Sequence, residues 1–443
     1  MMCIENAECI QLTKGLIRFL QDSPTSFHAV ANIAGILREA GFTELHEDEK
    51  WELKKNGSYF VTRNQSSILS FRIPAGTCGG YQIMASHSDS PTFKIKENPE
   101  MESEGHYIRL NVEKYGGMLC APWFDRPLSV AGRLVVKAGN CLVSKLVKVD
   151  RDLLMIPNLA IHFNRQVNDG YKYNPQVDMI PLFGGHDSKG TFMKLVADAA
   201  GVHEEDILGH DLFLYSRMPG TIWGAGNEFF SCGRIDDLQC AFASLKGFLE
   251  SEPAEGIAVH AVFDNEEVGS GTKQGADSTF LMDTLRRINT GLGRDEEAYL
   301  MALASSFMIS ADNAHAVHPN LPDRADPTNR PYMNQGIVIK YNANQKYTTD
   351  AVSAAMFKAL CQRAGVPFQT FANRSDMPGG STLGNISNAH VSLNTVDIGL
   401  PQLSMHSPYE TAGVMDTCYL TKVAAHFYSA CIRAGEGGCY EVV

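Results

Sequence analysis

The chain has no C-x-x-C pair, no H-E-x-x-H word and no apolar run approaching the roughly 20 residues that a membrane-spanning helix needs. These gaps exclude a thiolate zinc site, the commonest single-zinc peptidase arrangement and a transmembrane span. Basic excess is also missing. Lys and Arg number 38 against 50 Asp and Glu, a formal charge of -12, so neither a nucleic acid nor an anionic membrane is expected as a partner. The eleven cysteines are odd in number and scattered from Cys3 to Cys439, which indicates no disulfide framework and points to a reducing, cytoplasmic setting. Residues Met1 to Asp22 carry Glu5, Glu8 and Asp22 and lack the basic start and unbroken apolar core of a signal peptide. They read as an amphipathic helix with Ile10, Leu12, Leu16, Ile17 and Leu20 near one face.

What is present suits a folded protein throughout: 44% hydrophobic and 20% charged residues, with no low-complexity tract. At 443 residues the chain exceeds the size at which one core stops growing, so two domains are expected. Ser23 to Ala40 reads as a second helix stopped by Gly41, and short strands follow at Ser58 to Thr62, Ser67 to Ile73 and Tyr81 to Ala85. Beyond Pro91 the texture becomes alternating, as in Tyr107 to Val112, Ser129 to Lys137 and Leu142 to Val149. Helical periodicity returns at Leu238 to Leu249. Apolar strands are then expected at Ile257 to Phe263, Phe307 to Ile309, Gln335 to Tyr341 and Val391 to Leu393, with helices at Thr349 to Ala364 and Thr411 to Ser429. The pattern predicts an α/β fold: a discontinuous catalytic domain with a mixed sheet flanked by helices, residues 1–92 and 229–443, interrupted by a β-rich insertion at 93–228.

The polar groups that follow the apolar segments are His87 with Asp89, then Asp236, Glu266 with Glu267, Asp312, and His406. Ligands of α/β sheets bind outside the carboxyl ends of the strands, so separate strands can deliver these groups to one place. Imidazole and carboxylate suit zinc and related divalent metals, and a catalytic pair of metals needs a shared carboxylate, for which Asp236 is the candidate. In His87-Ser88-Asp89 the carboxylate two residues on can fix the ring tautomer. Adjacent Glu266 and Glu267 allow one to ligate while the other serves as general base. Asp237 reads as a helix cap or a supporting group.

The words Ser86-His87-Ser88-Asp89-Ser90-Pro91, Gly233-Arg234-Ile235-Asp236-Asp237-Leu238, Asp264-Asn265-Glu266-Glu267-Val268-Gly269-Ser270, Ser310-Ala311-Asp312-Asn313-Ala314-His315 and Met405-His406-Ser407 resemble those of the aspartyl aminopeptidase family of co-catalytic zinc exopeptidases. The resemblance covers essentially the whole chain. It implies two Zn2+ per subunit, with Mn2+ or Co2+ as substitutes, one held by His87, Asp236 and Asp312 and the other by Asp236, Glu267 and His406. It assigns Glu266 as the base and Asp89 behind His87 as the catalytic pair, and His315, Lys340 and Tyr347 as substrate contacts. By the same resemblance, His162 in Leu159-Ala160-Ile161-His162 enters the site of a neighbouring subunit, which makes the insertion a dimerisation domain. The implied activity is removal of one N-terminal residue from a peptide with a free amine, with preference for Asp or Glu, in a homo-oligomer, a dodecamer built from dimers. A neutral-residue aminopeptidase, a deacylase or a carboxypeptidase would use the same ligands. A non-catalytic oligomeric binding protein would not need the intact base.

Overall fold

The computed structural model describes residues 2–76, 79–253 and 255–442. A nine-stranded sheet runs in the order Thr43–Leu45, Ser58–Arg63, Ser67–Arg72, Ile257–Phe263, Tyr81–His87, Phe307–Ala311, Asn394–Gly399, Ile337–Tyr341, Phe368–Ala372. Its four central strands, from Ile257–Phe263 to Asn394–Gly399, are mutually parallel, with Phe263 opposite His87 and Ser310 opposite both Ala85 and Asp397. Their carboxyl ends therefore open on one edge.

Both faces of this sheet are covered, which is why its strands read as continuous apolar runs. Side chains alternate between two cores, as the two-residue period of a strand requires. Ala258 and Val262 face the helices Met2–Asp22, Ser26–Glu39, Ile235–Glu250, Ala351–Ala364 and Val414–Ser429, whereas Ile257, Val259, Ala261 and Phe263 pack with Phe280 and Leu285 on the other side. Met1, where the sequence reading starts the first helix, lies outside the described residues. Cys9 of that helix forms a disulfide with Cys418. No local spacing announces this pairing; it follows from the packing of the first and last long helices side by side.

A six-stranded antiparallel sheet, Cys141–Lys148, Leu128–Ala138, Ile207–Ser216, Thr92–Ser103, Tyr107–Tyr115, Leu182–Gly185, has its own core around Phe93, Trp123, Leu134 and Phe192. A five-stranded sheet links Thr221–Trp223, Phe229–Cys232, Glu410–Gly413, Pro401–Leu403 and Ala314–His315. Among the described residues no helix is long and apolar enough to cross a membrane.

One strand expectation shifts. Val391 to Leu393 lies in a bend, and the strand is Asn394–Gly399, whose polar Asn394, Thr395 and Asp397 concealed it. Thr395 and Asp397 are buried there, and Asp397 survives burial because neighbouring hydroxyls and an amide satisfy it.

Candidate metal centre

Three of the parallel strands end at the candidate chemistry. Tyr81–His87 ends on His87, Ile257–Phe263 runs into Asp264 and the turn Glu266–Val268, and Phe307–Ala311 is followed by Asp312. The five-stranded sheet supplies His406, between Pro401–Leu403 and Glu410–Gly413, and the start of helix Ile235–Glu250 supplies Asp236. Asn265 takes the left-handed conformation (φ 63°), which Asn tolerates better than most residues, and so turns the chain to present two successive glutamates.

The polar atoms converge. His87 Nε2 lies 3.5 Å from Asp236 Oδ1 and 3.7 Å from Asp312 Oδ1. His406 Nε2 lies 3.4 Å from Asp236 Oδ2 and 3.4 Å from Glu267 Oε2. These separations are long for charge-assisted hydrogen bonds. Those of His406 match the roughly 3.3–3.4 Å between two ligand atoms that each stand about 2.0–2.1 Å from one tetrahedral zinc, and those of His87 are a little longer. Asp236 Oδ1 and Glu267 Oε1 are buried without a hydrogen-bond partner, an arrangement that an anionic cluster tolerates when a cation fills it. Two overlapping donor sets meet metal-site geometry, His87–Asp236–Glu267 and His87–Asp237–Asp312. The donors and their spacing fit zinc.

Behind them, hydrogen bonds hold each group. His87 Nδ1 faces Asp89, 3.3 Å from Oδ1 and 3.1 Å from the backbone oxygen, leaving Nε2 for the cluster. The Asp89 carboxylate also accepts the backbone N–H groups of Glu266 and Glu267, at 3.1 and 3.2 Å. One carboxylate thus orients a histidine and both glutamates.

Three supporting groups escaped the sequence reading in whole or part. Tyr115, from the six-stranded sheet, donates to Asp89 Oδ2 at 2.7 Å and accepts from Asn265. Glu410 accepts the N–H groups of Ile235 and Asp236 through Oε2 and that of His406 through Oε1, locking two candidate ligands together. Asp237, expected to be a cap or supporting group, accepts the His87 N–H at 3.0 Å and faces the cluster. Glu410 sits four residues beyond His406, but its partners at 235 and 236 are remote in sequence.

Electrostatics follow from crowding. Burial pushes the Glu266 carboxyl up to about 7, with Asp312, Asp89 and Asp236 adding to the rise and His87 opposing it. Burial, with Asp236 beside it, likewise holds Glu267 well above the usual carboxylate range. His87 is raised despite its burial, through contacts with Asp236, Asp312 and Asp89. A metal needs Glu267 ionised and His87 neutral, so binding expels protons that the empty cluster would hold. Affinity therefore falls as pH falls. Zinc titrations against a competing chelator at pH 8 and pH 6 are expected to show weaker binding at pH 6, by up to about tenfold per pH unit for each proton released.

The cluster opens on a pocket of about 160 Å³ walled by His315, Lys340, Tyr347, Phe371 and the segment Gly380–Thr382. Three of the expected substrate contacts are thus gathered here. Lys340 is 3% exposed and donates to Asp312 Oδ2 (3.2 Å) and to the Asn313 backbone oxygen (2.8 Å). His162 is elsewhere, exposed in the turn after Ala160 and absent from this wall. A larger cavity of about 480 Å³ lies beyond Asp89 between the two main sheets, and none of the candidate histidines lines it.

A mixed sheet whose parallel strand ends gather imidazoles and carboxylates around a small pocket defines a metal-dependent hydrolase of the zinc exopeptidase fold. The family model described as aminopeptidase I zinc metalloprotease (M18) matches residues 19–428. The probable M18 family aminopeptidase 2 of Clostridium acetobutylicum is 49% identical over 428 residues, covering 95% of this chain and 99% of that protein. Among solved structures, a complex of Ape4 and Nbr1 aligns with TM-score 0.92 at 34% identity, covering 96% of this chain and 86% of that one. The S. cerevisiae mApe1 dodecamer aligns with TM-score 0.82 at 27% identity, covering 94% and 95%. The chain belongs to the M18 family of zinc metalloaminopeptidases.

Proposed function

We propose that the protein removes acidic N-terminal residues from peptides at a dinuclear zinc site, with Glu266 as general base. The observation that carries the dinuclear reading is the Asp236 carboxylate, whose two oxygens face two different histidines, Oδ1 towards His87 and Oδ2 towards His406. A carboxylate so placed can be shared, with His87 and Asp312 completing one ligand set and Glu267 and His406 the other. Bound zinc would polarise the scissile carbonyl and lower the pKa of the attacking water towards about 7.

Glu266 lines the pocket beside Glu267, its backbone N–H held by Asp89, and in this reading takes the proton of the attacking water and returns it to the leaving amine. Asp89 acts through His87 and the glutamate turn. Lys340 supports the acidic preference: it is the one lysine or arginine among the described residues of the pocket wall, and of its three donors two are spent on Asp312 and Asn313. The third, on the side of the Tyr347 ring, can be offered to a substrate carboxylate. His315 and Tyr347 complete the contacts.

The same reading takes residues 93–228 as a dimerisation domain carrying His162 to a neighbouring subunit. Leu159, Ile161 and Phe163 around it are exposed, Phe163 by 79%, which is the composition of a contact surface. Assembly as a dodecamer accords with the solved form of S. cerevisiae mApe1. The charge balance and the seven free cysteines among the described residues, beside the one Cys9–Cys418 pair, support a cytoplasmic location.

The test is release of free amino acid from Asp-, Glu-, Leu- and Lys-initiated peptides by zinc-loaded protein, with N-acetylated peptides as controls. Asp and Glu peptides are expected to be cleaved at least about tenfold faster than the others, as one charge-assisted contact predicts. Equal cleavage of Leu peptides would remove the acidic preference, and cleavage of blocked peptides would remove the aminopeptidase reading.

A further inference from the structure

Asp397 is completely buried in the strand Asn394–Gly399, next to the strand that leads to Asp312, and has no part in the chemistry proposed above. Its Oδ2 accepts both the backbone N–H and the hydroxyl of Thr348, each at 2.6 Å, and its Oδ1 accepts the Thr382 hydroxyl at 2.6 Å. These hydroxyl contacts fall in the range of short, charge-assisted bonds. Its own N–H donates to Thr349 Oγ1 at 2.9 Å. Gly384 packs so closely that a Cβ there would stand 2.8 Å from Asp397 Oδ1.

The two segments gathered by this carboxylate are both pocket wall. Thr348 follows Tyr347, and Thr382 ends the stretch Gly380–Thr382; Tyr347 and all three residues of that stretch line the pocket. The preceding Gly379 and Gly380 carry no side chain to anchor the loop, so glycine's conformational freedom must be restrained from Thr382 onward. A carboxylate is the group that can do this. It accepts on both oxygens, whereas an amide would turn an N–H2 group against one set of donors.

We infer that Asp397 is a positioning residue of the substrate pocket: it latches the Tyr347–Thr349 segment to the Gly-rich loop ending at Thr382, and so governs substrate affinity and not the chemical step. The inference rests on the reading that this pocket receives the peptide's N-terminal residue. The Asp397 carboxylate is bonded to Thr348 and Thr382 and to none of the metal-site donors, so breaking the latch removes no hydrogen bond from the cluster.

The experiment uses the full-length, zinc-loaded protein and the peptide it cleaves fastest. Thr382→Val removes one of the three bonds with little change of shape and is expected to raise KM about tenfold, with kcat within about twofold of the parent and zinc content unchanged. Thr382→Ser, which keeps the hydroxyl, is expected to restore KM; Asp397→Asn should raise it further. Hydrogen exchange supplies a readout independent of turnover: amides of 376–387 should exchange faster in Thr382→Val and at the parental rate in Thr382→Ser. Unchanged KM and unchanged exchange in Thr382→Val would overturn the latch, as would a fall in kcat at constant KM. Should the parent cleave no peptide, the functional reading fails by itself, and exchange at 376–387 alone decides whether the latch exists.

Discussion

Glu266→Gln is expected to lower kcat by about 10²–10⁴-fold, the usual contribution of a positioned general acid–base, while zinc content and thermal unfolding stay at parental values. The substitution is nearly isosteric, and the amide cannot accept the proton. Its backbone N–H still donates to Asp89, so the turn that also presents Glu267 is kept. Glu266 is not one of the groups in either donor set, which is why the metals should stay. Steady-state kinetics with metal analysis on the same samples check the prediction. Lost zinc would move Glu266 into the ligand shell, and retained turnover would hand the proton transfer to another group.

The sign of the pH effect on this residue separates two states. In the cluster without a cation, burial and neighbouring carboxylates hold Glu266 up at about 7. Bound cations reverse the local charge and favour the ionised form. Raised carboxyl groups are a consequence of gathering Asp89, Asp236, Asp237, Glu266, Glu267 and Asp312 around His87 and His406, and the ions that relieve this crowding also ready the base.

How much of this was legible in the sequence depends on the range of the interactions. His87 and Asp89, Glu266 and Glu267, and Asp312 stand where buried apolar strands stop, a position readable from residue type alone; the structure lines one pocket with His87, Glu266, Glu267 and Asp312 and sets Asp89 behind His87. The N-terminal helix, the second helix and the strands Ile257–Phe263 and Ile337–Tyr341 likewise follow from apolar spacing. Interactions remote in sequence were not legible. Glu410 acts on backbone amides at 235 and 236, and Tyr115 reaches Asp89 from a different sheet. Asp397 is harder still, because a buried aspartate within a strand reads as polar until Thr348 and Thr382 are seen around it. Cys9 and Cys418 sit at opposite ends of the chain, and the packing of their helices alone brings them together.

The number of metals is decided by comparing two substitutions whose effects must differ if Asp236 is shared. Three protein ligands are the ordinary complement of a catalytic zinc. His406→Ala would leave His87, Asp236 and Asp312 intact on one side and reduce the other to Asp236 and Glu267, so the purified variant is expected to hold about one zinc per subunit. Asp236→Ala would leave only a pair on each side, His87 with Asp312 and Glu267 with His406, and both ions should be lost. Elemental analysis after gel filtration, with unfolding temperature as a check on the fold, reads the outcome directly. Each variant should lose essentially all turnover, because attack requires both sides of the pair. The distances favour this pattern over one ion held by all ligands: Asp236 directs separate oxygens at His87 and His406, and a single tetrahedral ion has no place for five protein donors. About one zinc in the parent, kept by His406→Ala and lost from Asp236→Ala, would establish a mononuclear centre and leave Glu267 and His406 as supporting groups.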